Sequence, residues 1–254
     1  MKLERRRRTL PLMAIEVHRL ETPEDVAVEA AGRIVEAADA AIAQRGRFIL
    51  ALSGGETPRL AYRRLAHPEM RNAMRWADTV LLWSDERCVP PDDEGSNYRM
   101  AREALLDHVP IPADNILRIR GESCPIAEDE RYERALHRLL DAPPTDGRID
   151  LMLLGVGTDG HTASLFPNSP ALIERRRWVL PVAGPPPYSR RITLTFPIIN
   201  ASRAVIVLAT GSRKAPIVRT LLDGPAEAAA RWPIASVRPR DGVAVWLVDR
   251  AAHP

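Results

Sequence analysis

The sequence predicts an α/β fold: an open, mostly parallel sheet flanked by helices, with room for a small appended lobe. Three observations carry this. Apolar runs of four to eight residues, the length of buried strands, recur along the chain. Most are separated by segments whose apolar residues repeat at helical spacing, as βα units require. Glycine gathers where these runs end, with five of the 14 glycines in two such loops, and open α/β sheets bind their ligands at the carboxyl ends of strands.

The elements follow in order. Residues 14–19 read as a first strand. Thr22 and Pro23 then offer an N-cap and a first-turn proline for a helix over 24–43. The run 48–52 is a strand ending in Ser53-Gly54-Gly55, and Thr57-Pro58 opens a helix that reaches Leu65. A strand over 79–83 is closed by the charged cluster Asp85-Glu86-Arg87, and 98–106 and 127–140 are helical. The clearest strand, 149–154, runs into Gly155 and Gly157. Strands over 178–182, 191–195 and 204–209, a helix over 213–222 and a last strand over 243–248 complete the chain.

Length alone allows one domain or two for 254 residues. No repeat or low-complexity linker divides them, and the 23 prolines punctuate loops, so 14–254 is read as one domain and 1–13 as a flexible arm. A hydrophobic share of 45% and a charged share of 27% exclude disorder, collagen and coiled coil. No apolar run approaches the roughly 18 residues of a membrane span. A net charge of +3 is too small to argue for nucleic acid. Two cysteines, Cys88 and Cys124, make neither a disulfide framework nor a metal quartet. The apolar stretch at 10–15, after four arginines at 5–8, is too short for a signal peptide, so the cytoplasm is expected. Of the 36 basic residues only Lys2 and Lys214 are lysines. A compact ammonium is not interchangeable with a planar guanidinium, which singles out Lys214.

Four clusters could carry chemistry. In Ser53-Gly54-Gly55-Glu56-Thr57-Pro58 the glycines turn backbone amides outward and the following helix N-terminus favours an anion, although Glu56 sits awkwardly among them. The second loop, Gly155-Val156-Gly157-Thr158-Asp159-Gly160-His161, matches the dinucleotide pattern GxGxxG, but the next strand ends in Ala183-Gly184 without the required acid. It offers His161 as a general base, with Asp159 to fix its tautomer. Asp85-Glu86-Arg87 and Gly211-Ser212-Arg213-Lys214 lie at further strand ends. No GxSxG, HExxH, P-loop or metal-spaced histidine pair occurs, which disfavours a serine hydrolase, a zinc enzyme and a P-loop NTPase.

Taken in order, Leu52-Ser53-Gly54-Gly55-x-Thr57-Pro58, Ser84-Asp85-Glu86-Arg87-x-Val89-Pro90 with Ser96-Asn97-Tyr98, Gly155-x-Gly157-x-Asp159-Gly160-His161-Thr162-Ala163-Ser164-Leu165-Phe166-Pro167, Arg191-Ile192-Thr193-Leu194-Thr195 and Gly211-x-x-Lys214-Ala215 resemble the 6-phosphogluconolactonase family over roughly 14–250. The resemblance implies a fold similar to that of glucosamine-6-phosphate deaminases and hydrolysis of 6-phospho-D-glucono-1,5-lactone in the pentose phosphate pathway. The sister deaminases place a glutamate five residues after the histidine, where this chain has Phe166, which favours the lactonase.

The implied roles are His161 as base toward water, Asp159 as its orienter, and Arg87 facing the carboxylate or phosphate end of the ligand. Ser53, Gly54, Gly55, Thr57 and Lys214 would hold the phosphate, with Arg191 added and Asp85 and Gly157 shaping the crevice. The slightly longer stretch 185–190 leaves open whether Arg190 or Arg191 faces the substrate. No metal or cofactor is implied, and no nucleic-acid or membrane partner. The chain is expected to be a monomer or small homo-oligomer. The alternatives are a deaminase and a non-enzymatic sugar-phosphate sensor.

Overall fold

The computed structural model describes residues 16–123, 125–141, 147–225 and 229–254, so the expected arm at 1–13 lies outside it. The strands are β1 (Glu16–Leu20), β2 (Phe48–Leu52), β3 (Thr79–Trp83), β4 (Asp85–Arg87), β5 (Ile116–Leu117), β6 (Leu151–Gly155), β7 (Val179–Ala183), β8 (Arg190–Leu194), β9 (Ala204–Ala209) and β10 (Val243–Asp249). The helices are α1 (Pro23–Arg45), α2 (Glu56–Ala66), α3 (Pro68–Ala73), α4 (Asn97–Ala104), α5 (Pro125–Leu140), α6 (Phe196–Ile199) and α7 (Ala215–Leu222).

Seven strands form one sheet in the order β1-β10-β9-β6-β2-β3-β5, and every pairing in it is parallel. All five residues of β2 and of β3 are buried, which is why β2 and residues 80–83 of β3 read as unbroken apolar runs rather than alternating ones. Helix α1 packs on β2 and β10 and against α2. Its start is fixed by a capping box between Thr22 and Asp25 with Pro23 in the first turn, and its end by Gly46 at φ 69°. Among the described residues, no helix is long and apolar enough to cross a membrane.

The runs at 178–182 and 191–195 are strands, but they leave the parallel sheet. They become β7 and β8 in a three-stranded antiparallel sheet ordered β4-β8-β7. Only 184–189 separate them, too few for a parallel crossover, which takes a dozen residues or more. This sheet fills the room left for a small lobe, yet Val179, Ile192 and Leu194 join the same buried cluster as β2, β3 and β6. Asp85-Glu86-Arg87, expected as a charged strand end, is instead β4. Ser84 joins the two sheets: its N–H donates to Leu52 in β2 and its carbonyl accepts from Leu194 in β8. Short elements β5, α3 and α6 were not expected, and the helix expected over 213–222 starts as a 3-10 turn, Ser212–Lys214.

The chain crosses between β2 and β6. From β2 it builds outward through β3 to β5, and from β6 it builds the other way through β9 to β10. That reversal leaves a crevice at the carboxyl ends of β2 and β6, where open α/β sheets take their ligands.

Candidate active site

The loop after β2 enters the crevice first. Ser53 is held by the fully buried Tyr62, whose hydroxyl accepts from the Ser53 N–H and donates to its carbonyl, both at 2.8 Å. Burial raises the Tyr62 phenol above its ordinary value. The Ser53 side-chain oxygen is buried without a protein partner and is free to meet a ligand. Gly54 touches Asn97 so closely that a Cβ there would lie 2.0 Å from Asn97 Oδ1. Gly55, at φ 110°, is the N-cap of α2 and leaves its first amides uncapped by any side chain. Glu56, the awkward neighbour, turns its carboxylate to Arg59 at 2.5 Å.

The loop after β6 brings the titratable pair. His161 Nδ1 lies 2.5 Å from Asp159 Oδ1, and the same oxygen accepts from the His161 N–H at 3.2 Å. With Nδ1–H committed to a carboxylate, Nε2 presents its lone pair and can accept a proton. Burial pushes the Asp159 carboxyl up, but the adjacent imidazole outweighs it and holds the group below its ordinary value. A Cβ on Gly157 would lie 2.1 Å from His161 Nδ1 and 2.4 Å from Asp159 Oδ1, so the pair needs glycine there. The Phe166 ring tilts against the imidazole at 4.6 Å between centroids.

Cations come from three elements. Arg191, on β8, is buried, its Nε donates to the Tyr188 carbonyl at 3.0 Å, and its guanidinium lies 5.3 Å from the Phe166 ring. Arg190 is exposed. Arg87, on β4, donates from Nη1 to the Gly95 carbonyl at 2.6 Å, while its Nε is buried without a partner. Burial and then the Arg87 charge lower the Arg191 guanidinium from its ordinary value. Burial and then Arg213 do the same to the Lys214 ammonium, against the pull of Asp159. Cations that oppose one another in a partly buried site are stabilised by an anion between them.

Ser53, Gly54, Asp85 and Arg87 line one cleft of about 140 Å³ together with Gly157, His161, Arg191 and Lys214. It adjoins a recess of about 440 Å³ that shares Gly155, Val156 and Lys214 and is also lined by Thr57. Thr57 Oγ1 is already engaged, 2.6 Å from Thr210 Oγ1. Gly55 and Asp159 do not line the cleft: Gly55 shapes the start of α2 and Asp159 holds His161. The Asp85 carboxylate is buried and taken up by Ser164 Oγ at 2.7 Å and Asn97 Nδ2 at 3.3 Å, so it braces the wall. The cleft also holds Asn97, Val156 and Ala163, which sequence reasoning left without a role. The one signal for Asn97 was its place in Ser96-Asn97-Tyr98. Among the described residues, no group of acids, histidines and cysteines could hold a metal ion.

A family model described as glucosamine-6-phosphate isomerases/6-phosphogluconolactonase matches residues 21–246. The chain is 39% identical over 216 residues to a 6-phosphogluconolactonase of Nostoc sp., covering 84% of this chain and 87% of that one. A solved 6-phosphogluconolactonase from Trypanosoma brucei superposes with a TM-score of 0.83 at 31% identity, covering 94% of this chain and 98% of its own. A monomeric glucosamine-6-phosphate deaminase, at 22% identity and TM-score 0.79, shares the fold, covering 94% of this chain and 98% of its own.

Proposed function

The chain belongs to the glucosamine-6-phosphate isomerase/6-phosphogluconolactonase family, and from that premise we infer that it hydrolyses 6-phosphogluconolactone by attack of a water that His161 deprotonates. The reaction is ester hydrolysis: the ring ester opens to 6-phosphogluconate, a step of the pentose phosphate pathway.

A lactone is already a reactive ester, so the protein has three tasks: to orient it, to activate water and to stabilise the oxyanion. Nε2 of His161 takes the proton from water as its oxygen attacks C1. Asp159 keeps the imidazole in the needed tautomer and stabilises the imidazolium that forms; general-base catalysis of this kind contributes about 10²–10⁴-fold. The imidazolium then returns the proton to the ring oxygen as the C1–O bond breaks. Lys214, the Ser53 hydroxyl and the amides of the loop through Gly54 and Gly55 hold the 6-phosphate, and Thr57 backs this subsite through Thr210. Arg191 adds charge beside it. Arg87 faces the C1 end, where negative charge grows as the tetrahedral intermediate forms. Holding the remote phosphate supplies orientation at the reacting carbon.

The observation that carries the lactonase over the deaminase is the setting of His161: its flanking side chains are the Asp159 carboxylate and the Phe166 ring. Ring opening and amine loss need a further acid–base group, and an aromatic ring supplies none. The expected compartment remains the cytoplasm.

The test pairs two assays on the same protein. 6-Phosphogluconolactone generated in situ, coupled to 6-phosphogluconate dehydrogenase, is expected to be consumed well above its spontaneous rate, and glucosamine 6-phosphate is expected to release no ammonia. Ammonia release without lactone hydrolysis would overturn the reading.

A further inference from the structure

The turn that presents Lys214 is pinned from both sides by residues outside the cleft. Asp249, the last residue of β10, is 1% exposed. Its two carboxylate oxygens accept the Gly211 N–H at 3.0 and 3.1 Å, and Oδ1 also accepts the Ala252 N–H at 2.8 Å. Gly211 sits at φ 87°, and its carbonyl accepts the Lys214 N–H at 2.9 Å, closing the turn that carries the lysine. On the other side Thr210 meets Thr57 at the start of α2. A buried carboxylate is costly unless its acceptors are filled, and here they are filled by the amide at the root of the lysine turn.

The turn that follows β10, from Asp249 to His253, also reaches the far end of α7, the helix that Lys214 caps. The backbone N–H of His253 donates to the Asp249 carbonyl at 3.0 Å. The buried His253 ring accepts from Arg19 Nε on Nδ1 at 2.8 Å, so Nε2 carries the proton and donates to Asp223, the C-cap of α7, at 2.8 Å.

We propose that Asp249 is a positioning residue for Lys214, fixing through Gly211 where the ammonium stands in the cleft. This rests on the reading of Lys214 as a phosphate ligand. Asp249 touches no substrate. Its carboxylate sets the Gly211 amide, Gly211 sets the turn, and the turn sets the lysine.

The experiment is steady-state lactone hydrolysis by wild type, Asp249→Ala, Asp249→Asn, Lys214→Ala and the Asp249→Ala/Lys214→Ala double variant, with thermal midpoints recorded alongside. Asp249→Ala is expected to raise KM at least about fivefold with kcat within about twofold, the pattern of lost uniform binding. Asp249→Asn keeps one acceptor for Gly211 and is expected to lie between Asp249→Ala and wild type. In the Lys214→Ala background, Asp249→Ala should raise KM by less than about twofold further, because the two act through one group. If Lys214→Ala leaves KM unchanged, the phosphate reading falls and takes this proposal with it. If Lys214→Ala raises KM but Asp249→Ala does not, or the two effects multiply, the proposal alone is overturned. Should Asp249→Ala not fold, Asp249→Asn decides: KM raised at least about twofold with kcat kept supports the proposal, and a wild-type KM overturns it.

Discussion

At the scale of single residues, the Asp159–His161 loop depends on an atom that is missing. Gly157 is not in a left-handed conformation, so an alanine there adds only a Cβ, but that Cβ would lie 2.1 Å from His161 Nδ1 and 2.4 Å from Asp159 Oδ1. Neither partner is the loose end of a long side chain, so the pair has to move. A displacement of about 1 Å at reacting groups can cost 10²-fold. Gly157→Ala is therefore expected to lower kcat about 10²-fold with KM little changed; kcat within twofold of wild type would show that the pair tolerates displacement. Residue identity made much of this legible. His161 and Asp159 stood out because they follow glycines at a strand end, and Lys214 because the chain otherwise uses arginine. Asn97 did not, since its meaning lies in a contact with Gly54, 43 positions away, that no local pattern announces.

Strand β4 shows what a whole element adds. Glu86, buried within it, accepts the N–H groups of Asn97 at 2.7 Å and Tyr98 at 2.8 Å, the first two residues of α4, and Ser96 Oγ at 3.2 Å. One carboxyl thus caps the helix that sets Asn97 against Gly54. Burial pushes it up to about 7, against the pull of the three backbone N–H groups, Arg87 among them, that donate to it. The unfolded chain loses this proton near 4.5 and the folded protein only near 7, so Glu86 costs stability as pH rises through that interval and no more above it. The cost is roughly 3 to 4 kcal/mol at most, from about 1.4 kcal/mol for each tenfold change. A Glu86→Gln variant cannot titrate there, so its thermal midpoint is expected to fall less than that of wild type between pH 5 and about 7.5; parallel curves would contradict the assignment. The element itself was not legible as a strand. Three charged residues carry no apolar alternation, and their extended form exists only because β8 pairs with them. By contrast, β2 and α1 could be read directly, one from five consecutive apolar residues and the other from its N-cap and first-turn proline, while the glycine that ends α1, Gly46, was not read.

Across the whole molecule, the decisive feature is the reversal of strand order between β2 and β6. It sets the glycine loop of one strand beside the Asp159–His161 loop of the other, and β9 adds Lys214 from the same side of the reversal as β6. The antiparallel sheet closes the crevice from the remaining direction with Arg87 and Arg191. The parallel core was legible because burial on both faces writes itself as apolar runs; the second sheet was not, because its partners are brought together only by the finished fold. From this convergence we infer that His161 is the base for water attack on a lactone held by its phosphate. The most direct measurement is hydrolysis of freshly generated 6-phosphogluconolactone, at saturating concentration, by wild type and His161→Ala, corrected for the spontaneous reaction. In the variant kcat is expected to fall about 10²–10⁴-fold with KM changed little; a His161→Ala variant that keeps kcat within a few-fold of wild type would contradict the role of His161 as base.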